Sequence, residues 1–98
     1  QTPFVDFPNC DPSYHIFIVL LTESVDRVEV INSMKEDGVQ TSIHYPSFRT
    51  FSAYKDRAFG PTPVADLVSE RVLTLPLYPT MTFEQVDLVV DSLKKALG

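Results

Sequence analysis

Apolar residues recur along this chain in different rhythms, and each rhythm predicts an element. From Tyr14 to Leu21, aromatic and β-branched residues run on without clear alternation. That pattern suits a strand buried on both faces, or nearly so. After it, Val28, Ile31 and Met34 recur every three positions between Ser24 and Gly38. The spacing predicts a helix over about Val25 to Asp37, with Ser24 as its cap and Gly38 as the left-handed stop just past its end. Residues 39–45, Val-Gln-Thr-Ser-Ile-His-Tyr, read as a second strand. Pro46, which cannot donate to a ladder, closes it.

The next stretch, 47–63, spreads Phe48, Phe51, Tyr54 and Phe59 between Pro46 and a Gly60-Pro61-Thr62-Pro63 cluster. A short helix within a long, packed connection is predicted there. Val64 to Arg71 forms another short helix, and Val72-Leu73-Thr74-Leu75 a third strand ended by Pro76 and Pro79. The final helix carries the strongest local signals. Thr82-Phe83-Glu84-Gln85 is a capping box, and Met81 is placed to staple onto Val86. Val86, Val89, Val90, Leu93 and Leu97 then form one apolar stripe ahead of Gly98. The order is β-α-β-(α)-α-β-α, an α+β fold. It occupies 13–98 behind a proline-rich extended lead-in over 1–12.

Composition narrows the function classes. Ninety-eight residues make one domain with a real but modest core. A net charge of −5 with scattered Lys and Arg argues against nucleic acid, which needs clustered basic residues. The longest apolar run, Ile16 to Leu21, is far too short to span a bilayer, and no signal-peptide pattern opens the chain. A lone cysteine, Cys10, excludes an internal disulfide, and a cytoplasmic location is expected. The chain opens on Gln1 rather than Met, which fits a fragment or a processed product.

Few residues suggest chemistry. His15 and His44 are the only histidines, and neither has a second ligand at metal spacing, so no metal site is expected. His15 reads as a hydrogen-bonded structural histidine in the first strand. Ser52-Ala53-Tyr54-Lys55 matches the four-letter S-x-x-K string, but the companion S-D-N and K-T-G strings are missing. An exposed turn explains it better. Cys10 beside His44 would need something to lower the thiol pKa, and the lead-in offers nothing. Asp91 is placed to pair with Lys95 on a solvated helix face. His44 and Tyr45 stand out by position, at the end of a predicted strand that feeds a long aromatic loop. They bring a titratable ring and a hydroxyl on a rigid ring.

Longer stretches carry a family likeness. Gly38-Val39-Gln40-Thr41-Ser42-Ile43-His44-Tyr45-Pro46, followed by Phe51-Ser52-Ala53-Tyr54, resembles the C-terminal part of the DegT/StrS-type sugar aminotransferases. Ala65 to Pro79 is similar to that family's A-E-x-x-x-x-x-V-L-S-L-P-L-x-P, and Thr82 to Leu93 to its closing T-x-x-x-x-x-x-V-V-x-x-L. The resemblance covers about residues 12–97. It implies a C-terminal small domain with a short, largely antiparallel three-stranded sheet covered by helices. The implied whole enzyme is a fold-type-I, pyridoxal-phosphate-dependent dimer. It would transfer an amino group, usually from glutamate, to a keto-sugar carried on a nucleotide. The cofactor, bound to a Schiff-base lysine, would belong to a large N-terminal domain, the expected partner of this one. None of Lys35, Lys55, Lys94 and Lys95 matches that lysine's segment. No catalytic residue, and no cofactor bound by this chain alone, is therefore expected.

By the same match, His44 and Tyr45 orient substrate through hydrogen bonds and stacking. Arg49 stands where many members carry a second histidine, and it is a candidate contact for a substrate diphosphate. Phe48, Phe51, Phe59 and the lead-in are expected to supply an apolar surface toward the large domain. Two other readings compete: a non-catalytic small-molecule-binding or regulatory α+β module, and a pure interaction domain.

Overall fold

Two short antiparallel strands pair at the centre of the molecule: β1, Phe17–Leu20, and β2, Val72–Leu75. The structure is a computed structural model and describes residues 1–3, 9, 11–54, 56–57 and 60–98. Three α-helices complete it among the described residues: α1, Arg27–Glu36; α2, Pro63–Arg71; and α3, Phe83–Leu97. The α+β class and most of the element order match the sequence pattern. Cys10, Lys55, Phe59 and much of the predicted lead-in lie outside the described residues.

β1 and β2 run in register, with Val19 opposite Leu73 and Phe17 opposite Leu75. Val19, Leu21, Leu73 and Leu75 join Val30 and Met34 of α1, Val39, and Val89 of α3 in one buried cluster. Pleat alternation sends Val72 and Thr74 to the opposite face of the sheet. Both are buried, so β2 is covered on both sides. β1 departs from expectation here. Phe17 is exposed and Ile18 and Leu20 only half-buried, so Val19 alone of β1 is fully buried. His15 is exposed and precedes the strand rather than opening it.

The predicted strand over 39–45 makes a single bridge, Ser42 to Thr74. Their backbones exchange two hydrogen bonds, of 3.1 and 2.8 Å. In that register the ladder would continue through Gln40 with Pro76 and through His44 with Val72. Pro76 has no N–H to give. The Val72 N–H is already donated to the Val68 carbonyl as α2 closes, and the Val72 carbonyl accepts from Arg27 Nη1 at 3.1 Å. Both ends of the third strand are thus denied partners, and the sheet has two strands with a bridge.

α1 is capped two residues later than predicted, by Asp26 rather than Ser24. Asp26 Oδ1 accepts from the Val28 and Glu29 N–H groups at 2.7 and 3.3 Å, while Ser24 bonds Thr22 instead. The buried stripe is Val30 and Met34, an i,i+4 pair, whereas Val28 is 62 % exposed. A three-residue spacing drifts around a helix of 3.6 residues per turn, and Val28 falls off the core face. The helix ends as predicted, on Gly38 at φ 80°. Gly38 N–H donates to Lys35 O and Val39 N–H to Met34 O, the paired bonds of a Schellman motif.

In place of one helix, the described residues of the 47–63 connection form two single 3₁₀ turns, Phe48–Thr50 and Ser52–Tyr54. Ser52, Ala53 and Tyr54 of the Ser-x-x-Lys string form the second turn. α3 carries its capping box: Thr82 Oγ1 accepts from Gln85 N–H, and Gln85 Oε1 accepts from Thr82 N–H. Its apolar stripe divides. Val89, Leu93 and Ala96 turn to the core, while Val86, Val90 and Leu97 stay largely exposed beside Phe83. Met81 packs on the core, but Val86 is 41 % exposed. Lys95 Nζ reaches Asp37 at 2.6 Å rather than Asp91, which pairs with Lys94 at 3.6 Å. Ser92 Oγ also donates to Asp37, so the C-terminus of α1 is tied to α3 by two contacts.

Candidate functional site

The Ser42–Thr74 bridge delivers His44 to the sheet face opposite the α1–α3 core. From there its Nδ1 lies 3.0 Å from Thr74 Oγ1 and 3.4 Å from the exposed Ser42 Oγ. Tyr45 follows across a cis peptide bond and sets its ring edge-on to the imidazole, with centroids 4.9 Å apart at 83°. The Tyr45 side chain is 71 % exposed. His44 is thus held on one ring edge, while its neighbour projects an aromatic face and a hydroxyl outward. That arrangement can hydrogen-bond and stack on a ligand.

Arg49 belongs to a second network. Its Nε donates to Thr62 Oγ1 at 2.9 Å, and its Nη2 donates to the Gly60 carbonyl. Asp66 Oδ1 lies 3.7 Å from Nε. Ser47 and Thr62 both donate to the Asp66 carboxylate, at 3.3 and 3.2 Å. The loop after Pro46 is therefore strapped to the first turn of α2 by charge and hydrogen bonds. Phe48 packs edge-on to Tyr54, and Arg57 lies over the Tyr54 ring at 5.6 Å. Phe48 and Phe51 keep 42 % and 46 % of their surface exposed.

A cleft of about 460 Å³ opens beside the bridge, between residues 38–42, the turn after β2 and the first half of α3. Ser42, Tyr78, Met81 and Leu88 line it, together with Thr41, whose buried Oγ1 has no hydrogen-bond partner among the described residues. His44, Tyr45 and Arg49 are outside it. Among the described residues no group of three or more His, Cys, Asp or Glu is placed to hold a metal ion. No helix there is long and apolar enough to cross a membrane. Of the described lysines, Lys94 and Lys95 are ion-paired and Lys35 is exposed on the last turn of α1. None lines the cleft.

Thr74 is the residue that sequence reasoning overlooked. Its signal was present: a hydroxyl in the buried run Val72-Leu73-Thr74-Leu75 must find a partner. Asp66 was missed because its partners lie across the irregular loop.

The sequence model of the DegT/DnrJ/EryC1/StrS aminotransferase family matches residues 2–94. The chain belongs to that family. Its members are pyridoxal-phosphate-dependent enzymes of fold type I. Among solved structures the chain is similar to the aminotransferase TlmJ from Streptoalloteichus hindustanus. The TM-score is 0.86 at 26 % identity, over 99 % of this chain and 26 % of that one. It is also similar to Spr1654 from Streptococcus pneumoniae, named a sugar aminotransferase. The apo form gives a TM-score of 0.77 at 25 % identity, and the PMP form 0.74 at 26 %. Each Spr1654 match covers 85 % of this chain and 22 % of that one. The chain thus spans about a quarter of the length of these solved aminotransferases. The lysines described above do not form a pyridoxal-phosphate pocket: two are ion-paired and the third sits on an exposed helix end.

Proposed function

We propose that residues 13–98 are the C-terminal small domain of a sugar aminotransferase, following a lead-in over 1–12. In this reading the whole enzyme moves an amino group from glutamate to a nucleotide-linked keto-sugar. The observation that carries the proposal is the family match over nearly the whole chain, set against solved aminotransferases about four times as long, of which Spr1654 is named a sugar aminotransferase. Pyridoxal phosphate, when bound, supplies the amino-transfer chemistry, and a large N-terminal domain holds it. This chain's contribution is on the substrate side. His44 and Tyr45 orient the sugar nucleotide by hydrogen bonding and stacking. Arg49 joins them through a guanidinium whose charge is shared with Asp66, so a diphosphate there competes with an existing ion pair.

The large domain is the proposed partner for two exposed apolar areas. One comprises Phe48 and Phe51, and the other is the α3 stripe of Phe83, Val86, Val90 and Leu97. A homodimer with a cytoplasmic location completes the reading. The test is to express the complete reading frame that contains this chain and assay glutamate-dependent amination over a panel of nucleotide-linked keto-sugars. Turnover of at least one is expected. Failure with all of them, in a folded and cofactor-loaded enzyme, would sink the proposal.

One observation favours a second reading, a ligand-binding or regulatory module: the cleft with its unpartnered Thr41 hydroxyl. Nucleotide-sugar binding by the 98-residue chain that survives His44→Ala but is lost in Leu88→Arg would move the assignment to the cleft.

A further inference from the structure

Thr74 sits in the middle of β2, 5 % exposed, with its backbone N–H and C=O both committed to Ser42. Its hydroxyl has one hydrogen-bond partner among the described residues, His44 Nδ1 at 3.0 Å. A buried hydroxyl proton needs an acceptor. If Nδ1 carried the ring proton, Thr74 Oγ1 would accept it, and the hydroxyl's own proton would have no acceptor among the described residues. With Nδ1 as acceptor, the buried Thr74 hydroxyl donates its proton to the ring and is satisfied. Ser42 Oγ, 3.4 Å from the same nitrogen, is exposed and has water available, so it imposes no choice.

We propose that Thr74 is a positioning residue that locks neutral His44 as its Nε2–H tautomer. In a neutral imidazole, one nitrogen donates when the other accepts. His44 then presents a donor at Nε2, which has no hydrogen-bond partner among the described residues. The Tyr45 ring edge limits rotation of the imidazole from a second direction. The histidine is thereby set to select an acceptor oxygen on the ligand rather than a donor. This consequence rests on the substrate-side reading of His44 above, whereas the tautomer itself does not.

The test is a long-range ¹H–¹⁵N correlation spectrum of the ¹⁵N-labelled 98-residue chain at alkaline pH, where imidazoles are neutral. Exposed His15 provides an internal reference for an unrestrained ring. His44 is expected to show the Nε2–H pattern with at least a tenfold excess over Nδ1–H. Thr74→Val, which keeps the shape and removes the hydroxyl, is expected to bring that ratio down to the level of His15. Thr74→Ser is expected to restore it, and Ser42→Ala to leave it unchanged. An Nδ1–H pattern in the wild type would overturn the proposal. So would a ratio that does not move in folded Thr74→Val, or one that collapses in Ser42→Ala instead. Should Thr74→Val fail to fold, the wild-type spectrum still decides between the tautomers, and loss of the pattern in folded Thr74→Ser would overturn the assignment to the hydroxyl. The spectrum involves no substrate. Loss of amino-transfer activity with the tautomer intact would count against the proposed function and leave this inference standing.

Discussion

Gly38 is where the chain leaves α1 for the segment that carries His44, and its replacement by alanine isolates one physical effect. A Cβ built there meets no atom within 4 Å, so no steric clash with neighbours contributes. What remains is the backbone: φ is 80°, in the left-handed region where a Cβ crowds its own carbonyl, at about 1–2 kcal/mol per residue. For a domain of this size about 1 kcal/mol moves the melting temperature by roughly 4–8 °C. Gly38→Ala is therefore expected to melt about 4–16 °C below wild type. With a urea slope of about 1.5 kcal/mol/M, its midpoint drops by roughly 0.7–1.3 M. Gly60→Ala is the matched control. A Cβ there also meets nothing within 4 Å, but Gly60 lies outside the left-handed region. It should be neutral, or stabilising by up to about 1 kcal/mol through the unfolded chain. Urea titration of the two variants beside wild type makes the comparison. Equal midpoints for Gly38→Ala and wild type would refute the reasoning, as would a matching loss in Gly60→Ala.

Three further outcomes are expected. The Asp37 carboxyl is held below the ordinary carboxylate range, first by its hydrogen bond from Lys95 and then by that from Ser92, partly offset by desolvation. Its folded pKa is depressed, so its contribution is present above the ordinary range of about 4 and lost as pH falls through the folded value. Asp37→Asn should flatten the acid limb of urea midpoint against pH, and an unchanged limb would refute the assignment. Leu73→Ala, at a fully buried position of β2, should cost about 2–5 kcal/mol, against less than about 0.5 for the exposed Val28→Ala. Similar melting temperatures for these two variants would contradict the core described above. Thr41→Val removes a buried hydroxyl without a described partner and should stabilise the chain by up to about 1 kcal/mol, measured by urea denaturation. A clear loss of stability would mean that the hydroxyl has a partner after all.

Where local signals decide an element, they were legible in the sequence. The capping box at Thr82 and Gln85 and Gly38 past α1 both act within a few residues of themselves. The third strand was misjudged because its fate depends on distant groups: Pro76, and an Arg27 guanidinium that occupies the Val72 carbonyl. The Val28 stripe failed on the difference between a spacing of three and a pitch of 3.6. At the candidate site, His44 and Tyr45 could be singled out by position and family likeness, while the hydroxyl that holds the ring could not be assigned to them. Thr74 is thirty positions away from His44, and only the Ser42 bridge brings the two together. Arg49 could be named a candidate diphosphate contact, but its partner Asp66 could not be foreseen, since it enters from another element.

The central claim is that this chain supplies the substrate-side contacts of a larger DegT-family aminotransferase. Steady-state kinetics of the complete enzyme with His44→Ala test it most directly, varying the nucleotide-linked keto-sugar and glutamate separately. One lost hydrogen bond of about 1.4 kcal/mol predicts roughly a tenfold fall in kcat/KM for the sugar, with the glutamate parameters unchanged. Unchanged sugar kinetics, or an equal loss toward glutamate, would contradict the claim.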